Sequence, residues 1–281
     1  MNKMKLKSML EMFYMEDLGD GDVSSNILFS KSDEGSFTLF MKEQGVFCGR
    51  DVIEMGFSLI DPKVDVHVFA NDGDWVEAGQ SIAEIRGPMG DLLQGERVIL
   101  NLIQRMSGIA TETYRAVEQV KGTGVRLCDT RKTTPGLRML EKYAVRTGGG
   151  FNHRNGLYDA VMLKDNHISF AGSITEAVKQ VKRQIGHMVK VEVEIETKEQ
   201  LLEAVDAGAD VIMFDNCTPS TIKGWIHLVP PQVVTEASGG ITRESLPAYA
   251  ESGVHYISLG YLTHSVKSLD FSARVRIGKG V

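Results

Sequence analysis

Cysteine is scarce in this 281-residue chain: Cys48, Cys128 and Cys217 stand far apart, with no CxxC pair among them. An odd, scattered set excludes a disulfide framework, offers no thiolate zinc site, and fits a reducing compartment. Positive charge is also in deficit. With 37 acidic residues against 31 lysines and arginines, the net charge of −6 argues against a broad nucleic-acid surface. No apolar run is long enough to cross a bilayer. The N-terminus turns acidic before any such run develops, so residues 5–16 suggest an amphipathic helix rather than a signal peptide. A cytoplasmic protein is expected, with neither nucleic acid nor membrane as a partner. No convincing Ser/His/Asp or Cys/His set is present either, which points away from a covalent nucleophile.

What is present is ordinary in bulk and unusual in places. Apolar content of 42% and charged content of 24% are those of a soluble globular protein, long enough for two domains. The unusual stretch is 129–167, DTRKTTPGLRMLEKYAVRTGGGFNHRNGLYDAVMLKDNH. Cations sit there at the ends of apolar runs, beside glycine, proline and hydroxyl residues. Positive groups in turn-forming sequence, within an acidic protein, suggest a pocket for a small molecule with several negative charges.

Before that stretch the pattern is α+β. Residues 36–42 and 64–70 suggest strands, 50–60 a helix, and 73–85 two short strands joined by a turn at Ala78-Gly79. The aspartates of 17–22 stand among glycines without the terminal glutamate of a calcium loop, and are expected to bond nearby backbone. From Glu96, the apolar residues Ile99, Leu102, Ile103 and Met106 define one helical face. Arg105 flanks that face just before Ser107-Gly108, a position that by itself suits an ordinary surface charge near a helix end. A second helix is expected over 110–120.

After Gly122 one plan repeats: a short apolar strand, a polar strand end, then a capped helix. Strands are expected at 125–128, 160–163, 188–195, 211–214, 233–235 and 256–259. The starts at 188, 211, 233 and 256 are spaced 23, 22 and 23 residues apart, a rhythm of βα units. Capping-box spacing at Ser173/Glu176 and Thr197/Gln200, and Pro219 after Thr218, mark helix starts. A capped helix is also expected at Thr242, and Gly208 and Gly253 mark helix stops. Six strands are fewer than the eight of a complete barrel. Sites in such folds gather at the C-terminal strand ends. Here those ends are Asp129 to Lys132, Lys164 to Asn166, Glu194 and Glu196, Asp215-Asn216, Glu236 to Gly240, and Ser258 to Gly260. The alternation of Glu192, Glu194 and Glu196 puts three acids on one face of a strand. They are expected to point inward, opposite cations such as Lys132 and Lys164 or near a divalent metal. Ser238-Gly239-Gly240 fits an anion-cradling loop. His153 and His167 could be acid/base groups or structural residues.

The stretch 129–167, with EDLGDGDVSS near the start, GERVILNLIQRMSGIAT, EVEIE, FDN, EASGGIT and SLGYLTHS, resembles the quinolinate phosphoribosyltransferase family across nearly the whole chain. The resemblance implies an N-terminal α/β sandwich domain (1–108) and an incomplete α/β barrel (109–281), whose C-terminal tail packs back on the first domain. It implies quinolinate and phosphoribosyl pyrophosphate as substrates, with Mg²⁺, yielding nicotinate mononucleotide, pyrophosphate and CO₂. It implies a homodimer or larger assembly with a shared site, Arg105 reaching in from the partner. Matching residue by residue, the substrate-binding set is Arg105, Thr130, Arg131, Lys132, His153, Arg154 and Lys164, in which Arg105, Arg131, Lys132, Arg154 and His153 take the quinolinate carboxylates and Lys164 faces the phosphoribosyl donor. The phosphoribosyl group falls to Glu194, Asp215, Ser238, Gly239, Gly240, Leu259, Gly260 and Tyr261. Glu194 and Asp215 would serve Mg²⁺, directly or indirectly, and Lys132, Lys164, Glu194 and Asp215 form the catalytic set. Asn155 and Tyr261 depart from the family pattern without removing a named functional group. Two other readings are a molybdenum-transport-associated paralogue with a different substrate, and a non-catalytic nucleotide or anion sensor. The intact DTRKTTPG and KDNH pair opposes the first, and the acidic pair Glu194/Asp215 opposes the second.

Overall fold

The structure, a computed structural model, describes residues 1–276; part of the expected C-terminal tail, 277–281, lies outside them. The chain divides into two compact units, one formed by Met1–Glu112, Met139–Gly148 and the chain from Val266, the other by Thr113–Arg138 and Gly149–Ser265.

The first unit opens with α1 (Lys3–Leu18), capped by Asn2 and burying Leu6, Leu10 and Tyr14, one residue per turn. Asp22 then caps α2 (Val23–Leu28) by accepting from the N–H groups of Ser24 and Ser25, the local role expected of that aspartate cluster. The strands are β1 (Glu34–Met41), β2 (Gly45–Val46), β3 (Asp65–Val68), β4 (Trp75–Val76) and β5 (Ser81–Pro88), with helices α3 (Arg50–Ile60) and α4 (Met89–Gln119). After β6 (Arg126–Cys128) of the second unit comes α5 (Arg138–Thr147). A final strand of the first unit, Phe271–Arg276, pairs antiparallel with β1. Together with β5 and β3 these form a four-stranded antiparallel sheet. The alternation of β1 buries Phe37, Leu39 and Met41, and Phe37 meets Phe57 of α3 with ring centroids 5.6 Å apart.

Two local expectations fail here. The strands within 73–85 are not partners: β4 pairs with β2, while β5 joins the four-stranded sheet. The turn at Gly79 instead bonds to Met41, its N–H donating to the Met41 carbonyl. Nor does the chain break at Ser107-Gly108, because α4 is one helix of 31 residues. Ser107 and Thr111, one turn apart on it, accept from the N–H groups of Cys48 and Val46. Gly108 is therefore a packing glycine rather than a terminator.

The second unit continues with β7 (Val161–Leu163), α6 (Asp165–Ala171), α7 (Ile174–Lys182), β8 (Val191–Ile195), α8 (Lys198–Asp206) and β9 (Val211–Asp215). It ends with α9 (Pro219–Trp225), β10 (Val234–Ser238), α10 (Leu246–Ala250), β11 (Tyr256–Ser258) and α11 (Tyr261–His264). Its six strands form one parallel sheet in the order β6-β11-β10-β9-β8-β7, so β6 and β7 are its edges. This is the incomplete barrel-type α/β sheet expected from the strand count. β8 starts at Val191 rather than at 188, where Met188 is exposed. Thr242 caps no long helix; its hydroxyl accepts from the Ser245 N–H ahead of the short α10. No helix among the described residues is long and apolar enough to cross a membrane.

A Cβ added at Gly108 would fall 3.1 Å from the Ser268 Cα and nearer still to the Lys267 carbonyl oxygen, both backbone atoms that cannot swing aside. Helix propensity alone favours alanine over glycine by roughly 1 kcal/mol. Gly108→Ala should nevertheless lower the melting temperature, by on the order of 5 °C, because overpacking outweighs that gain. A rise in Tm by differential scanning fluorimetry would show that the close approach is not a constraint.

Candidate functional site

A cavity of about 660 Å³ lies at the C-terminal ends of the parallel strands of the second unit. It is lined by Thr130, Arg131 and Lys132 after β6, His153 and Arg154 before β7, and Lys164 at the end of β7. Across the sheet it is lined by Glu194 of β8 and Glu196 just after it, Asp215 at the end of β9, Ser238 at the end of β10, and Gly239 and Gly240 after it. Eleven of the fifteen residues that the resemblance assigns to the two substrates, from Thr130 to Gly240, thus share one cavity.

Its cationic side is assembled across the open seam between β6 and β7. Asp129, fully buried, bonds to the loop 151–153 with both ends of its residue. Its N–H donates to the Phe151 carbonyl at 3.1 Å, and its carboxylate accepts from the His153 N–H at 2.9 Å and the Asn152 side-chain amide at 2.6 Å. Thr130 Oγ1 accepts from the Lys132 N–H, shaping the turn. Arg138 extends the tie, donating to Thr133 Oγ1 and to the Asn155 carbonyl. Asn155, one of the two departures from the family pattern, bonds to the Asp159 carboxylate through its backbone and its side-chain amide, closing the 155–159 loop. Burial, and then the neighbouring Arg131 guanidinium, hold Arg154 below its ordinary pKa. Two guanidiniums held this close form a site for an anion.

β8 grades the acidic side by depth. Glu192 is buried, Glu194 half-buried and Glu196 exposed, all on one face as the alternation requires. Lys164 Nζ is paired with Glu194 Oε1. Burial raises the Glu194 pKa; Lys164 opposes this, and the charges of Asp215 and Glu192 add to it. Glu192 meets His153, whose Nε2 lies 3.1 Å from Glu192 Oε2 and 3.7 Å from Glu236 Oε1. His153 Nδ1 accepts the Arg154 N–H at 2.9 Å, so Nε2 carries the proton and donates downward. The three groups lie close enough to chelate a cation. That proton occupies the position a metal would need, and the ring serves as a hydrogen-bonded support beneath Arg154. Burial, and then the charge of Glu192, push the Glu236 carboxyl up to about 7.

Four expected residues do not line the cavity. Leu259 is buried, its N–H donating to the Cys128 carbonyl. Gly260 and Tyr261 start α11 behind the Lys132 turn: Thr263 Oγ1 donates to the Lys132 carbonyl, and a Cβ on Gly260 would come within 3.2 Å of Lys132 Cδ. Arg105 belongs to the first unit, where Nε and Nη2 donate to Glu141 Oε1 at 2.8 and 2.6 Å. Glu141 is 1% exposed, so the pair fixes this guanidinium firmly. His167 is structural, its Nδ1 accepting the Lys164 N–H at the start of α6.

Family comparison matches residues 22–107 to the N-terminal domain of quinolinate phosphoribosyl transferase and 109–274 to its C-terminal domain. The chain belongs to the quinolinate phosphoribosyltransferase family. It is 56% identical to a probable nicotinate-nucleotide pyrophosphorylase (carboxylating) of Bacillus subtilis over 99% of this chain and 96% of that one. It is 38% identical to a mitochondrial quinolinate phosphoribosyltransferase (decarboxylating) of Nicotiana tabacum, over 96% of this chain and 82% of the relative. The crystal structure of NadC from Streptococcus pyogenes superposes with a TM-score of 0.94 at 39% identity, over 98% of both chains.

Against this family background, Asp129, Glu236 and Asn216 are site residues that sequence reading placed at strand ends without a specific role, and Glu192, expected to point inward opposite a cation or near a metal, meets His153. Each was visible as a strand end or an alternating position, but its partner lies on a distant segment. Asp129→Ala would leave two donors of the 151–153 loop without their charged acceptor, a loss on the order of 3 kcal/mol. Chemical denaturation should show that loss, and the His153 amide should exchange faster. A change below about 0.5 kcal/mol, the size typical of surface positions, would contradict the seam assigned to Asp129.

Proposed function

We propose that the protein transfers the phosphoribosyl group of phosphoribosyl pyrophosphate to quinolinate with loss of CO₂, forming nicotinate mononucleotide for NAD biosynthesis. The observation that carries this is the division of one cavity into a cationic seam and an acidic wall. Simple anion binding would need only the first. Arg131, Lys132 and Arg154 suit the two carboxylates of the ring acid, with Thr130 shaping the turn that carries Lys132 and His153 supporting Arg154 from below. Lys164, held by Glu194, stands where the two substrates meet. Glu194 and Asp215 suit the ribose hydroxyls and Mg²⁺, since hard carboxylate oxygens beside a phosphate are the donors that ion takes. When bound, Mg²⁺ neutralises charge on the pyrophosphate. Ser238-Gly239-Gly240 presents a cradle for phosphate, while Leu259, Gly260 and Tyr261 back the strand end and turn that carry Lys132.

In this reading the ring nitrogen attacks the anomeric carbon as the bond to pyrophosphate breaks. Positive charge gathers on the ribose, where Glu194 and Asp215 face it, so catalysis is largely positioning and electrostatics. The C2–carboxylate bond then breaks with loss of CO₂; its electron pair stays on C2, where the adjacent positive charge of the alkylated ring nitrogen stabilises it, and C2 takes a proton with that pair. Arg131 and Arg154 hold the remaining carboxylate throughout.

Arg105, fixed by Glu141, is assigned to the neighbouring subunit's site in a homodimer or larger assembly. Apolar side chains exposed on α1 and α2, among them Met4, Met12, Ile27 and Leu28, are candidates for burial by a second copy. Three buried cysteines, none of them in a disulfide, support a reducing, cytoplasmic setting.

Purified protein given quinolinate, phosphoribosyl pyrophosphate and Mg²⁺ should release CO₂ and nicotinate mononucleotide in equal amounts. Chelation should stop the reaction and added Mg²⁺ restore it. Turnover with nicotinate but none with quinolinate would overturn the substrate assignment.

A further inference from the structure

Asn216 is the one non-glycine residue at positive φ among the described residues, at 52°. Asparagine tolerates this left-handed conformation better than most side chains. The conformation places it between two strand ends. Its side-chain Nδ2 donates to Asp215 Oδ2 at 2.9 Å, and its backbone N–H donates to the Ser238 carbonyl at 3.0 Å. Asp215 and Ser238 are register partners on β9 and β10. The next residue, Gly239, is seated directly against it. A Cβ at Gly239 would stand 2.8 Å from the Asn216 backbone nitrogen and closer still to its side-chain Oδ1, and Gly239 itself has φ 88°. Asn216 therefore has one hydrogen bond on the acid and one on the loop, and its amide is packed on the glycine that forms the loop.

We infer that Asn216 is a positioning residue that locks the Asp215 carboxylate and the Ser238-Gly239-Gly240 loop into one rigid donor-binding unit. The inference rests on the proposed function, which assigns both elements to the phosphoribosyl donor, and adds the residue that sets their mutual geometry. It also gives Gly239 a second purpose beyond its φ: without a side chain it leaves room for the Asn216 amide. Without that amide, Asp215 loses a donor that fixes its rotamer, and the loop loses the wall that fixes its height. Neither change touches the cationic seam that takes the ring acid.

The test uses Asn216→Gly, which keeps the backbone conformation available while removing the amide, together with Gly239→Ala and the double variant. Binding of phosphoribosyl pyrophosphate with Mg²⁺, and of quinolinate alone, is measured by calorimetry, with Tm as a control for folding. Asn216→Gly should weaken donor binding on the order of ten- to a hundredfold, the size expected for a hydrogen bond to a charged group. Quinolinate binding should stay within about twofold, smaller than the loss of even one weak hydrogen bond. Gly239→Ala should reproduce the defect, and the double variant should be no worse than Gly239→Ala, because both act through the same amide. Unchanged donor binding in Asn216→Gly, or equal loss of both ligands, overturns the inference. So does additivity of the two substitutions. If the unaltered protein binds no phosphoribosyl pyrophosphate, the functional reading fails and this inference with it. Normal donor binding by the unaltered protein, with none of these differences, fails the inference alone.

Discussion

The buried carboxylate of Asp129 closes a gap that the fold leaves open. A six-stranded parallel sheet has two edges, and here they are β6 and β7, consecutive in the chain. Asp129 stands at the end of one edge and binds the segment leading into the other. Because that carboxylate accepts from the loop's backbone as well as its side chain, His153 and Arg154 are held beside Thr130, Arg131 and Lys132. Three cations from two separate stretches, Arg131, Lys132 and Arg154, then act as one surface. The repulsion between Arg131 and Arg154 opposes this assembly, and the buried anion beneath the seam offsets it.

The acidic wall follows from a simpler rule. Strand alternation sends Glu192, Glu194 and Glu196 to one face of β8, at three depths. Depth decides what each can do. The deepest supports His153 and so the floor of the cationic side; the middle one meets Lys164; the shallowest faces the cavity mouth. One strand thereby connects the two halves of the site, and the chemistry proposed for it needs both: fixed cations for a dianionic ring, fixed acids for a sugar that becomes positive.

Much of this was legible in the amino-acid order. The βα rhythm after Gly122, the six strand cores and the polar strand ends all depend on local patterning, and local patterning is what periodicity reports. The alternation of β8 was legible for the same reason. Contacts between distant segments were not. The Trp75–Val76 strand looks like one arm of a hairpin until its pairing with Gly45–Val46 is known. Ser107-Gly108 looks like a helix end, because serine and glycine usually mark one; it is instead where α4 receives another backbone. Asn216 and Glu236 look like ordinary strand-end polar residues, since their meaning lies in Gly239 and His153. The resemblance to the family implied a role for Arg105 that no spacing argument reaches, whereas the Ser238-Gly239-Gly240 loop was legible as an anion cradle from its place after a strand.

The central claim is that one cavity holds two binding surfaces of opposite charge, and a matched pair of substitutions tests it most directly. Quinolinate, and separately phosphoribosyl pyrophosphate with Mg²⁺, would be titrated calorimetrically into Arg131→Ala and Glu194→Gln. The account predicts that the arginine variant loses the ring acid and retains the donor, and that the glutamine variant does the reverse. Equal loss of both ligands in both variants would contradict it.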